Sequence, residues 1–208
     1  MKRTLLALTC LFSSIAANAT VIDGTLFGHT RANGTTYNTV DFYSFNMNSA
    51  GNLNFDLLSW EDFGQDLNGD GKHAFFDTMI WLFQGSISVA NLIAENDDSG
   101  TLGNDGSNNA LDSNLTVSLG IGSYWLAVGA CCNYGASDIV DGVQEANRIW
   151  TYDANGNSIS HDHGNYRMTL TGDITITSRP DYQLQVHEPA TVAFFGLGLA
   201  ALAFRRRK

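Results

Sequence analysis

Leu115-Thr116-Val117-Ser118-Leu119-Gly120-Ile121-Gly122-Ser123-Tyr124-Trp125-Leu126-Ala127-Val128 is the stretch whose reading decides the fold. Leu115, Val117 and Leu119 alternate with polar residues, and a period of two places successive side chains on opposite faces of a strand. Gly120-Ile121-Gly122 interrupts the run, and Tyr124, Leu126 and Val128 resume it. The spacing predicts two antiparallel strands joined at these glycines, a hairpin from Leu115 to Val128.

The same period recurs on both sides. Tyr43, Phe45 and Met47 face one way and Phe42 and Ser44 the other, and Leu53, Phe55 and Leu57 repeat the pattern after the turn Ser49-Ala50-Gly51-Asn52. Phe76 to Phe83 is apolar almost throughout, which predicts a strand covered on both faces. Tyr166, Met168 and Leu170 predict the closing strand, with Ile174 and Ile176 just beyond. With 21 Gly, 2 Pro and no sustained helical period, the body is all-β: an antiparallel two-sheet sandwich of jelly-roll type, with barrel closure as the alternative. Polar insertions at Glu61–His73, Asn96–Asp112 and Cys132–His163 interrupt the strands, and long loops on a sheet scaffold are where binding concentrates.

The two ends have their own chemistry. Met1-Lys2-Arg3, the apolar Leu5 to Ile15 and then Ala17-Asn18-Ala19 have the order of a signal peptide, read as an N-terminal helix and removed by signal peptidase after Ala19. Residues 20–179 are then the sandwich, 180–188 a linker and 189–208 a tail with a short apolar helix and a basic end. The apolar run ends at Phe204, before Arg205-Arg206-Arg207-Lys208. From Thr191 to Phe204 a helix covers about 21 Å against a bilayer core of ~30 Å, so basic side chains must snorkel to complete a transient inner-membrane anchor. The positive-inside rule leaves the body outside the cytoplasm.

Val186-His187-Glu188-Pro189-Ala190-Thr191, the Gly-rich apolar run and the Arg cluster resemble the PEP-CTERM sorting signal, with His187 where that family has its first proline. The resemblance implies delivery to the cell envelope, cell surface or extracellular space. It also implies cleavage near Glu188-Pro189 by an exosortase-type enzyme, in a setting of exopolysaccharide production.

Removing Lys2, Arg3 and the four terminal cations leaves five basic residues in a body of about −15 charge, which repels nucleic acid and anionic surfaces and attracts divalent cations. Cys131 and Cys132 are adjacent and cannot staple the fold; a vicinal disulfide, pairing between chains and a reduced pair all remain open.

Asp66-Leu67-Asn68-Gly69-Asp70-Gly71-Lys72 matches the first half of a calcium loop. Oxygen ligands stand at Asp66, Asn68 and Asp70, the Lys72 carbonyl follows, and Asp77 takes the twelfth position where a longer Glu is usual. Asp97 beside Asp98 would repel unless a cation sits between them. His161-Asp162-His163 offers imidazole nitrogens to a transition metal, or is a polar surface loop. Trp60 and Trp150 lie beside loops and are candidates for stacking on sugar rings, whereas Trp81 and Trp125 lie within strands. No Gly-x-Ser-x-Gly elbow or acid/base carboxylate motif is present, and no enzymatic activity is expected.

Asp41-Phe42-Tyr43-Ser44-Phe45, Phe76 to Phe83, Asn96-Asp97-Asp98, Leu111-Asp112-Ser113-Asn114-Leu115 and Gly122 to Val128 occur in the order seen in the bacterial pre-peptidase C-terminal β-sandwich, which this body resembles. That resemblance implies an accessory domain without catalytic residues, and calcium near the acidic loops with Asp77, Asp97, Asp98 and Asp112 converging on one ion. The expected function is a non-enzymatic, calcium-stabilised surface or matrix protein with extracellular polysaccharide as partner. The alternative is a calcium-dependent carbohydrate-binding module.

Overall fold

The computed structural model describes residues 19–61, 66–99, 110–131, 135–145, 148–153, 155–179 and 186–187. The signal segment, Asp105, Cys132, Glu188, Pro189, the apolar tail and Arg205, Arg206 and Arg207 lie outside them.

Two antiparallel sheets face each other. The larger runs β10 (Val143–Glu145), β2 (Thr36–Thr39), β1 (Ala19–Thr30), β13 (His163–Thr171), β4 (Gly51–Leu58), β8 (Asn114–Leu119), with β15 (Val186–His187) also paired to β1. The smaller runs β14 (Ile174–Ser178), β3 (Asp41–Met47), β9 (Gly122–Ala130), β6 (Thr78–Gln84), β7 (Leu92–Asn96). Between them lies one core in which Phe45, Phe55, Leu57, Leu82, Leu126 and Met168 are almost wholly buried. Each large side chain removed from water in this way contributes ~1.5–3 kcal/mol. A short third sheet, β12 (Ser158–Ser160), β11 (Trp150–Tyr152), β5 (His73–Phe75), closes one end. The sandwich expected from the alternation is the fold observed.

The hairpin is not. β8 pairs with β4 in the larger sheet, while β9 pairs with β3 and β6 in the smaller. Gly120-Ile121-Gly122 is therefore a corner that carries the chain across the core, with Ile121 72% exposed at its tip. Leu119 and Tyr124 keep the predicted alternation because each faces the same core from opposite sides. Alternation specifies which side chains point inward, and either partner arrangement satisfies it. In the same way β13, expected to close the sandwich, lies between β1 and β4 in the interior of the larger sheet.

β6 is covered on both faces, as its apolar run predicts. Ile80 and Leu82 enter the main core, and Trp81 and Phe83 point the other way, into a second cluster with Val40, Ala127, Ala136 and Ile139. Ala136 and Ile139 belong to α1 (Ala136–Ile139), so the insertion after Cys132 covers the outer face of the smaller sheet. Gln144 pins it there. Its Oε1 accepts from Asn38 Nδ2 and from the Ala130 amide, both at 2.8 Å, and its Nε2 donates to the Ala130 carbonyl at 2.7 Å. Gly129 makes room, since a Cβ there would lie 2.7 Å from Gln144 Oε1 and 3.0 Å from the Trp81 ring.

One polar chain crosses the core. The Tyr166 hydroxyl donates to Asp41 Oδ2 at 2.5 Å and lies 2.5 Å from the Tyr43 hydroxyl. Burial pushes the Asp41 carboxyl well above the usual range, against the hydrogen bond from Tyr166. Tyr166 reaches it by crossing Gly24, where a Cβ would lie 2.3 Å from its ring.

Strand register gives the body two poles. Ala19, Thr171, Asn54 and Thr116 lie side by side at one, and Phe27 with His163, and Leu58 with Arg167, lie toward the other. β15, which immediately precedes the tail, pairs with Val21 and Ile22 near the first pole. Described residues of all three long insertions, Glu61, Asp112 and His163 among them, lie toward the second.

Candidate functional site

The second pole is assembled by hydrogen bonds from short polar side chains. The Ser113 amide donates to Thr78 Oγ1 at 2.6 Å and the Asn114 amide to Asn96 Oδ1 at 2.8 Å, tying the starts of β6 and β8 to the end of β7. Asp112, 1% exposed, is fixed by the Ser59 amide, which donates to its Oδ1 at 2.9 Å, and by the Ser59 hydroxyl at 2.7 Å. The loops bearing Asp77, Asp97 and Asp112 therefore meet.

The Asp77 carboxyl is pushed up to about 7, first by burial and then by the negative charges of Asp97, Asp98 and Asp112, with Arg148 opposing. Asp97 is raised by burial and by Asp98 and Glu95. Among the described residues Asp97 Oδ1, which is buried, has no hydrogen-bond partner. Carboxylate oxygens of Asp77 and Asp97 and the Cys131 sulfur lie within 4.8 Å of one another. Cys131 is disulfide-bonded, so its sulfur is no thiolate donor, and the remaining donor set is hard oxygen, which suits calcium over zinc. The structure thus brings the carboxylates of Asp77 and Asp97 within 4.8 Å of each other, with Asp98 and Asp112 near enough for their charges to act on Asp77.

It places Asp66, Asn68, Asp70 and Lys72 in a different arrangement. Asp66 accepts the amides of Gly69 at 2.6 Å and Gly71 at 2.7 Å, Asn68 Oδ1 that of Asp70 at 3.0 Å, and Asp70 Oδ1 that of Lys72 at 2.8 Å. Gly69 and Gly71 both have positive φ, which lets the turn curl around its own acids. Glu61 anchors the loop, its carboxylate accepting the amides of Leu67 at 2.7 Å and Ala74 at 2.6 Å and Asn165 Nδ2 at 3.1 Å. Asp77, twelfth in the spacing, goes to the other cluster.

The His161-Asp162-His163 motif serves this loop. His163 is 8% exposed; its Nε2 lies 3.1 Å from Asp70 Oδ2 and its Nδ1 2.8 Å from Asp162 Oδ1. Burial would raise Asp162, but hydrogen bonds from Ser160 and His163 and the charges of His163 and Lys72 outweigh it and hold the carboxyl at about 2.

Beside the loop is an aromatic group. Trp60 stacks on Phe75 at 4.1 Å between centroids, and Phe75 stacks on Trp150 at 5.5 Å and Tyr152 at 5.3 Å, with interplanar angles of 27°, 19° and 8°. Both tryptophans singled out in sequence meet here. Phe75, Tyr152, Glu61 and Arg148 escaped notice, because none belongs to a motif and each acquires its neighbours from a strand distant in sequence.

Among the described residues no helix is long and apolar enough to cross a membrane. Residues 188–208 match the PEP-CTERM protein-sorting motif. No curated protein matches the chain. Among solved structures it is similar to the pre-peptidase C-terminal domain of collagenase from Bacillus anthracis, at 16% identity and a TM-score of 0.34, covering 74% of this chain and 89% of that one. The tail is a PEP-CTERM sorting signal, directly following β15, and marks an exported envelope or surface protein processed by an exosortase-type enzyme.

Proposed function

We propose that this chain is a non-catalytic surface β-sandwich, tethered by its tail until exosortase-type cleavage near Glu188-Pro189, whose far pole is ordered by calcium. Signal peptidase cleavage after Ala19 would begin the mature chain at the start of β1. The observation that carries the cation reading is the approach of the Asp77 and Asp97 carboxylates to within 4.8 Å, with the charges of Asp98 and Asp112 acting on the same Asp77. Ionised together these groups repel, and a divalent cation between them relieves the repulsion while ordering three loops.

Calcium would supply charge and coordination there, and the carboxylates would hold it. We assign the cation to this group before the Asp66–Lys72 turn, because Asp97 Oδ1 is buried with no hydrogen-bond partner among the described residues, whereas Asp70 of the turn is exposed and its carboxylate is paired with the Lys72 amide and His163. The role we assign to His163 is structural: its Nδ1 is hydrogen-bonded to Asp162 Oδ1 and its Nε2 lies 3.1 Å from Asp70 Oδ2, so the ring sits between the two loops. An acidic body with an ordered pole fits a matrix or surface protein that meets extracellular polysaccharide.

Calorimetric titration of the purified protein with calcium, with thermal melting in calcium and in chelator, tests this. One saturable site is expected, and at a hundredfold excess over Kd it adds ~2.7 kcal/mol of stability. Asp97→Asn should abolish it and Asp70→Asn should leave it unchanged. The reverse pattern would move the ion to the Asp66 turn, and no binding at millimolar calcium would sink the proposal.

A further inference from the structure

The aromatic group at the second pole is outward-facing. Along β5 the burial runs partly exposed, buried, partly exposed at His73, Ala74 and Phe75, and along β11 it does the same at Trp150, Thr151 and Tyr152. Ala74 and Thr151 therefore point into the protein, and Phe75, Trp150 and Tyr152 share the solvent side, where Trp60 joins them from the end of β4. Register explains the meeting, since Phe75 is the cross-strand partner of Trp150 and His73 that of Tyr152. A single partly exposed aromatic needs no explanation, but three rings each stacked within 27° of the Phe75 plane, two of them with Phe75 on the third sheet and Trp60 beside it, form an organised surface.

We propose that Trp60, Phe75, Trp150 and Tyr152 form a stacking platform for an uncharged polysaccharide. The faces of pyranose rings carry C–H groups that pack on aromatic rings, while the indole N–H groups and the Tyr152 hydroxyl offer polar ends to sugar hydroxyls. The charge of the molecule selects among polymers. A body of about −15 disfavours nucleic acid and anionic polysaccharide, and none of the four rings belongs to a carboxylate or cationic side chain. Phe75 is the common stacking partner of the other three. It is a positioning residue: by holding the rings before a ligand arrives, it lowers the ordering cost of binding.

The platform also points the right way for an extracellular polymer. β15 pairs at Val21 and Ile22, whereas Phe27 of the same strand pairs with His163 beside the third sheet. At ~3.3 Å per residue these points are ~20 Å apart, so a chain still tethered by its tail presents the platform away from the tether.

The test is affinity electrophoresis of the full chain, in mild detergent, through gels containing hydroxyethylcellulose, neutral glucomannan or anionic alginate, each run with calcium and with chelator. Retardation by at least one neutral polymer and none by alginate is expected. Trp60→Ala and Trp150→Ala should each weaken it at least tenfold, Trp150→Tyr should retain most of it, and melting temperatures should confirm that the variants are folded. Retardation that persists in chelator keeps the platform separate from the cation proposal, so either can fail alone. No retardation by either neutral polymer overturns the proposal, and so does unchanged retardation in both alanine variants. Self-association of the wild type that Trp150→Ala abolishes, with no sugar binding, would assign the surface to a second copy instead.

Discussion

Asp77→Asn offers the sharpest test of the acidic pole, because its expected effect has opposite signs with and without the cation. Burial and the charges of Asp97, Asp98 and Asp112 raise the folded carboxyl from 3.8 to about 7. The unfolded chain loses this proton near pH 4 and the folded chain keeps it to near pH 7. The folded state therefore binds more protons across that window, and cation-free stability falls as pH rises through it. Three pKa units correspond to a ceiling of about 4 kcal/mol, and since Asp77 is partly exposed, solvent screening reduces this to ~1–2 kcal/mol. Asn cannot ionise. In chelator at pH 7.5, Asp77→Asn should melt about 2–8 °C above the wild type at ~2–4 °C per kcal/mol, and its melting temperature should fall less steeply than the wild type's between pH 4 and 7, the rest of the decline belonging to the raised carboxyls of Asp41 and Asp97. In excess calcium the order should invert, because only the wild type retains the ligand. Differential scanning calorimetry over pH 4 to 8, with and without calcium, reads both effects. A variant that melts below the wild type in chelator, or that keeps the full calcium-induced rise, would refute the reasoning.

Tyr166→Phe removes the hydroxyl between Tyr43 and Asp41 and leaves a carboxyl that is 2% exposed without this donor, which should cost ~1–3 kcal/mol in urea denaturation. Trp81→Ala should cost ~3–5 kcal/mol, because the insertion seals that face of β6. If that face were solvated the loss would stay below ~1 kcal/mol, so urea midpoints decide whether the insertion belongs to the folded unit. Gly24→Ala should destabilise by ~1–3 kcal/mol through its clash with the Tyr166 ring, and Gly34→Ala, where a Cβ meets nothing within 4 Å but φ is +84°, should cost ~1 kcal/mol from backbone strain alone. Thermal melts of the two variants compare these costs.

The sequence alone determined what depends on nearest neighbours. A period of two at Tyr43, Phe45 and Met47, and at Leu53, Phe55 and Leu57, declares which side chains face inward. A nearly continuous apolar run at Phe76 to Phe83 declares a strand covered twice, and a tail with Glu188-Pro189, an apolar run and terminal arginines declares its address. Only the tertiary structure decided what depends on partners. Gly120-Ile121-Gly122 could join neighbours in one sheet or carry the chain between two, since the inward pattern is the same either way and the choice rests on contacts with β4, β3 and β6. Asp77 stands at the twelfth position of one loop in sequence, yet the register of β6 with β7 and the docking of Ser113 on Thr78 carry it to Asp97 and Asp112. Trp60, Phe75 and Trp150 meet because three elements far apart in sequence end at one pole. Local pattern records the preference of each side chain for water or core, and the meeting of distant side chains is recorded only in the packing that satisfies all of those preferences at once.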